Sequence, residues 1–267
     1  MKTVLSIAGS DCSGGAGIQA DLKTIAAHKL YGMSVITALT AQNTTGVFGV
    51  EPTPAAFVAR QIDCVFEDIV PDAVKLGMLV SCETIKAVTE RLRFYHAKNI
   101  VLDPVMLSTS GHPLLASDAM QALTEQLFPL ASVITPNLAE ASALSRESIS
   151  SKSDMERAAH QLAQTFRSGI LLKGGHLFDC ADDLLLYHGK AYWYHAERID
   201  NPNTHGTGCT LSSAIACRLA QGYELPQAVS LAKSYLTAAL RAGLNLGHGN
   251  GPLCHQIPIE EQAFHEM

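Results

Sequence analysis

Short apolar runs alternate along this chain with longer stretches whose apolar positions recur at helical spacing. The runs Thr3–Ile7, Ser34–Thr40, Ala73–Leu76, Asn99–Leu102, Ser132–Thr135 and Gly169–Lys173 predict strands. Helices are predicted near Ile18–His28, Pro54–Glu67, Glu83–His96, Ala116–Phe128, Glu140–Leu144 and Lys152–Arg167. This βαβα order predicts an α/β fold: a mainly parallel central sheet with helices on both faces. The order then breaks. Asp182 to Ile199, DDLLLYHGKAYWYHAERI, reads as two antiparallel strands around a His-Gly-Lys turn. Two helical stretches follow, Thr210–Gln221 and Pro226–Ala242. No repeat or linker-like shift in composition interrupts the pattern, so residues 1–267 are expected to form a single domain.

Composition narrows the class. With 47% hydrophobic and 16% charged residues, the chain has the makings of a large core and not of a disordered segment. The net charge of −6, without a Lys/Arg-rich run, argues against a nucleic-acid partner, since neutralising phosphates needs clustered cations. The opening MKTVLSIAGS is too short an apolar run for a secretory signal, and no stretch reaches the ~18 apolar residues of a membrane helix. Seven scattered cysteines, with no C-x-x-C, argue against a disulfide framework or a zinc site and for the reducing cytoplasm.

Four loops leave predicted strand ends: AGSDCSGGAG, DPVMLSTSG, TPNLAE and KGGHLFD. In an open α/β sheet they would converge on one crevice beyond the carboxyl ends of the strands. In the first loop, Gly15, Gly17 and Ala20 match the spacing of a dinucleotide fingerprint. The glycines do not directly follow the strand, however, and the stretch SVITALTAQN carries no acid where a ribose-binding carboxylate should stand. A dinucleotide site is therefore not expected.

The segment NTHGTGCT is more informative. Gly206 and Gly208 flank Thr207 ahead of a helix, so their backbone N–H groups can join the orphan donors of the helix start in an anion hole. Cys209 sits at that positive end, where the dipole should favour a thiolate. Asp103 at a strand end can hold Mg²⁺ or its waters. Asn137 and Glu140 have the spacing of a capping box, and the same geometry can turn Glu140 toward a hydrated metal. Lys173 ends an apolar strand and needs an anionic partner, such as a phosphate, or a path to solvent. Anion hole, carboxylates and lysine on one sheet are the equipment of phosphoryl transfer.

These motifs, THGTGCT, DPVM, TPNLAE, KGGH and AGSDCSGGAGIQAD with TALTAQNT, resemble the hydroxymethylpyrimidine/phosphomethylpyrimidine kinases of thiamine biosynthesis, members of the ribokinase-like superfamily. The resemblance runs from about residue 3 to residue 245, in the family's order. It implies ATP-dependent phosphorylation of 4-amino-5-hydroxymethyl-2-methylpyrimidine and then of its monophosphate. It implies a pyrimidine site at Gly9, Asp21, Gln42, Met78 and Val105, beside Cys209. It places ATP on Asn137, Lys173 and the Gly206–Thr207–Gly208 turn, with Mg²⁺ near Asp103 and Glu140. A homodimer is the family's common state. The rival of the same fold is pyridoxal/pyridoxine kinase, alone or as a second activity. Two readings from other classes are a cysteine hydrolase using Cys209 with His205 or His176, and a non-catalytic vitamin-binding protein. Cys12 stands where the family commonly has Ser.

Overall fold

The computed structural model describes residues 1–106, 114–115, 119–175 and 181–258. Its strands are β1 (Thr3–Asp11), β2 (Tyr31–Asn43), β3 (Gly46–Pro52), β4 (Ala73–Leu76), β5 (Ile100–Leu102), β6 (Val133–Ile134), β7 (Gly169–Leu172), β8 (Asp183–Tyr187) and β9 (Lys190–Tyr194). They form one sheet in the order β3-β2-β1-β4-β5-β6-β7-β8-β9. The six strands from β2 to β7 run parallel. Antiparallel pairings close both edges: β2 with β3 on one side, and β7 with β8 and β8 with β9 on the other.

The helices are α1 (Gly17–Ala27), α2 (Ala55–Phe66), α3 (Cys82–Phe94), α4 (Ala119–Ala122), α5 (Leu138–Ser145), α6 (Lys152–Phe166), α7 (Thr207–Ala220) and α8 (Leu225–Ala242). Successive strand residues point to opposite faces, and both faces are covered. Leu5, Ile7, Ile170 and Leu172 pack with the apolar stripes of α2, α3 and α6. Val4 and Leu171 pack on the other side with Leu211, Ile215 and Val229 of α7 and α8. A buried apolar side chain contributes about 1.5–3 kcal/mol, so this two-sided core is the main stabilising element.

Three sequence expectations change. β3 was not expected: its Gly46, Gly49 and Pro52 disguise a strand, and such residues are tolerated because it lies at an edge. The helix expected over Ala116–Phe128 is a short α4, then a π-helical turn at Leu123–Leu127 and a 3₁₀ turn at Phe128–Leu130, where Pro129 cannot extend an α-helical ladder. Residues 116–118 of that expected helix lie outside the described residues. The helix expected from Thr210 starts earlier, at Thr207, because Gly206 takes the left-handed conformation (φ 85°) that lets the chain turn directly into it. The Asp182–Ile199 hairpin is present, with its turn at His188 and Gly189.

Candidate active site

The carboxyl ends of β1, β5, β6 and β7 open on the same side, and a cavity of about 780 Å³ lies beyond them. Its wall includes Gly9, Gln42, Met78, Asp103, Val105, Asn137, Glu140, Lys173, Gly206, Thr207, Gly208 and Cys209. The expected convergence of the four loops is thus met as far as they are described. Residues 107–111 of the second loop and 176–179 of the fourth, His176 among them, lie outside the described residues.

The centre of the site is an ion pair. Lys173 follows β7, and its Nζ lies 2.7 Å from Asp103 Oδ1, which also accepts from Thr135 Oγ1 at 3.2 Å. Burial pushes the Lys173 ammonium down, but Asp103 and then Glu140 outweigh it and raise the group above its ordinary range. Lys173 therefore stays charged. A Cβ on Gly208 would sit 3.0 Å from Asp103 Oδ2 and 3.3 Å from Lys173 Nζ, so a larger residue there would crowd the pair.

Glu140 does cap its own helix. Asn137 Oδ1 accepts from the Glu140 backbone N–H, and Glu140 Oε2 accepts from that of Asn137, both at 2.9 Å. The carboxylate also lines the cavity. Burial raises its pKa to about 7, with Lys173 opposing and Asp103 reinforcing the shift. Capping and cavity exposure coexist in one side chain.

The opening loop faces α7 across the cavity. Gly9 admits Met78: a Cβ there would lie 3.0 Å from the Met78 sulfur. Gly206 meets the same loop, since its Cβ would fall 2.0 Å from the Gly15 carbonyl oxygen. The starts of α1 and α7 both line this space, with Gly17 and Cys209 on its wall.

Two expectations are corrected here. Asp21 is not on the cavity wall. It is fully buried behind it, 2.8 Å from the equally buried Lys75 Nζ, and it accepts from the hydroxyls of Ser6 and Ser213. Its acceptor capacity is spent inside the protein, so it holds α7 onto the sheet instead of reading a ligand. Cys209 is not a favoured thiolate. Burial pushes its thiol up to about 11, against the pull of Lys75, and the helix start does not reverse that.

Sequence reasoning also passed over Asp11. It lines the cavity and accepts from the backbone of Ser13, Gly15 and Ala16 and from His205 Nε2 at 2.8 Å. An acid at a strand end before a glycine-rich turn was the available signal.

The family model for phosphomethylpyrimidine kinase matches residues 11–254. The hydroxymethylpyrimidine/phosphomethylpyrimidine kinase of Rhizobium meliloti is 51% identical over 255 residues, covering 94% of this chain and 96% of that protein. The thiamine biosynthesis bifunctional protein of Geobacter sulfurreducens is 49% identical over 260 residues, 97% of this chain, but the chain spans only 53% of that relative's length. Among solved structures, the ADP complex of Bacillus subtilis pyridoxal kinase superposes with a TM-score of 0.87 at 39% identity, covering 96% of this chain and 97% of that one.

Proposed function

The chain belongs to the phosphomethylpyrimidine kinase family, and from that premise we propose that its cavity phosphorylates 4-amino-5-hydroxymethyl-2-methylpyrimidine with ATP, and then the monophosphate to the diphosphate. One observation carries the reading. The start of α7 and a Lys–Asp pair share a single cavity with Gln42, Met78 and Val105.

The pyrimidine lies under the opening loop, with Met78 and Val105 as apolar walls and the Gln42 amide on its edge. The hydroxymethyl group points toward Cys209. With its thiol held protonated at neutral pH, Cys209 orients the oxygen that attacks the γ-phosphate. Phosphoryl transfer has a loose transition state and depends on positioning and charge more than on a strong base. The N–H groups from Gly206 to Cys209 hold the transferring phosphoryl, and loss of one such donor typically costs about 3 kcal/mol. Lys173 bridges the ATP phosphates, and Asn137 contributes to the nucleotide side. Asp103 and Glu140 fit Mg²⁺, which needs one or two carboxylates when phosphates and waters complete its shell. When bound, the ion neutralises phosphate charge.

Leu39 and Phe48, exposed on β2 and β3, support the homodimer as a further part of this proposal. Six free cysteines among the described residues support the cytoplasm. No helix among the described residues is long and apolar enough to cross a membrane.

The test is ATP consumption with the pyrimidine alcohol, its monophosphate and pyridoxal in parallel. Turnover of both pyrimidines is expected. Turnover of pyridoxal alone would reassign the enzyme to the rival the pyridoxal kinase likeness keeps in view. Cys209→Ala should slow the first transfer by about 10²-fold and the second far less, because a phosphate nucleophile is already anionic and needs no hydroxyl orientation. Equal losses would remove Cys209 from the mechanism.

A further inference from the structure

His205 has no role in the account above, yet its ring is nearly buried on the cavity wall and touches both halves of the site. Its Nε2 lies 2.8 Å from Asp11 Oδ2 and 3.0 Å from the side-chain amide of Gln42. The two loops it joins are in close apposition: a Cβ on Gly15 would stand 2.4 Å from His205 Cδ2. Its own backbone is held by the Gly251 carbonyl.

The hydrogen bonds here can be accounted for completely. Asp11 accepts from Ser13 N and Oγ through one oxygen, and from Gly15 N and Ala16 N through the other. A carboxyl group with four such donors on it is an acceptor only, hence ionised. Burial would raise its pKa, but the bonds from His205, Ser13 and Ala16 prevail and hold it at about 2. A lone pair on His205 Nε2 would repel this carboxylate at 2.8 Å, so Nε2 carries a proton. That proton cannot be met by an amide NH₂ from Gln42. The oxygen and nitrogen of an amide are told apart only by their partners. With its oxygen toward His205, Gln42 shares the Nε2–H. Its nitrogen then donates to Thr40 Oγ1, 3.1 Å from the amide's other end, while the Thr40 hydroxyl donates to the Ser10 carbonyl at 2.9 Å. The second amide N–H then remains unassigned, on a residue that lines the cavity.

We infer that His205 is a positioning residue: held by Asp11, it fixes the polarity of the Gln42 amide so that an N–H donor, and not a carbonyl oxygen, faces the bound ring. The ligand edge this selects is an acceptor, a ring nitrogen of a heteroaromatic substrate. The inference rests on the reading that the Gln42 wall binds the pyrimidine.

The test is calorimetric binding of the pyrimidine alcohol to the wild type, His205→Ala, His205→Gln, Gln42→Ala and the His205→Ala/Gln42→Ala double variant, with nucleotide binding measured on the same samples to confirm folding. His205→Ala should weaken pyrimidine binding about tenfold, the usual scale for losing one oriented hydrogen bond. His205→Gln, whose amide N–H can still reach Asp11, should recover most of that loss. Once Gln42 is gone, removing His205 should cost almost nothing further, because it acts through Gln42. Additive losses, or a Gln variant as weak as the Ala variant, overturn the role; where His205→Ala does not fold, His205→Gln carries the test alone, and a loss of about tenfold or more in that variant overturns the role. A wild type that does not bind the pyrimidine overturns the substrate reading itself, a different result from binding with additive losses.

Discussion

Glu140 serves two structures that both favour its ionised form, while burial opposes it. As the third residue of a capping box it accepts from Asn137, and as part of the cavity wall it is the second carboxylate beside Asp103. Burial leaves it half-protonated at about pH 7. A carboxylate that helps hold Mg²⁺ must be ionised, so lowering the pH should weaken Mg²⁺ binding at the proposed site. Between about pH 8 and pH 6 the ionised fraction falls several-fold, and the KM for Mg²⁺ should rise roughly five- to tenfold. Glu140→Gln should give a higher KM that no longer varies over that range; an unchanged slope in the variant would assign the titration to another group. The empty protein responds in the opposite sense. A carboxyl whose folded pKa lies above its unfolded value of 4.5 stabilises the fold fully below that value, and the contribution is lost as pH rises toward about 7. At this scale, residues at strand ends were legible because loops expose them: Asp103, Asn137, Glu140, Lys173 and Cys209 all stand on the cavity wall. Asp21 was not. Its partner Lys75 lies 54 positions away inside the apolar run of β4, and no local spacing announces such a pair. The pairing of Asp11 with His205, 194 positions apart, escaped for the same reason.

The start of α7 is the element on which the site turns. Gly206 is left-handed at φ 85°, with the Gly15 carbonyl where a side chain would go. Gly206→Ala therefore adds backbone strain of about 1–2 kcal/mol to a steric clash that only a shift of one loop can relieve. The expected melting temperature falls by about 4–8 °C, and kcat by about 10²-fold for both transfers, since a displacement of about 1 Å is enough. Gly222, just past the other end of α7, has φ 93° and open space around it. Gly222→Ala should lower stability by strain alone and keep kcat; if it lost activity equally, the effect would belong to helix stability and not to the anion hole. Strands β1, β4, β5 and β7 were readable because strands buried on both faces are continuously apolar. β3 and the early start of α7 were hidden by glycines, which weaken pattern and propensity where the backbone most needs freedom.

At the scale of the molecule, one sheet carries both halves of the site: Gln42 stands on β2 near one edge, and Lys173 directly follows β7 across the parallel strands. Ligand binding should consequently be felt by the whole fold. Calorimetry of the empty protein should show one cooperative transition, the expectation for residues 1–267 as a single domain. A ligand that binds only the folded state, present at about a hundred times its Kd, stabilises by about 2.7 kcal/mol. For a chain of this size that raises the melting temperature by about 5–10 °C. The magnesium–nucleotide complex and the pyrimidine should each move the same transition, because the sites proposed for them meet at the start of α7 and share one sheet. A calorimetric trace that splits in two, with nucleotide shifting one component and pyrimidine the other, would mean that the halves fold independently. It would also break the argument that a single sheet transmits the position of one wall of the cavity to the other.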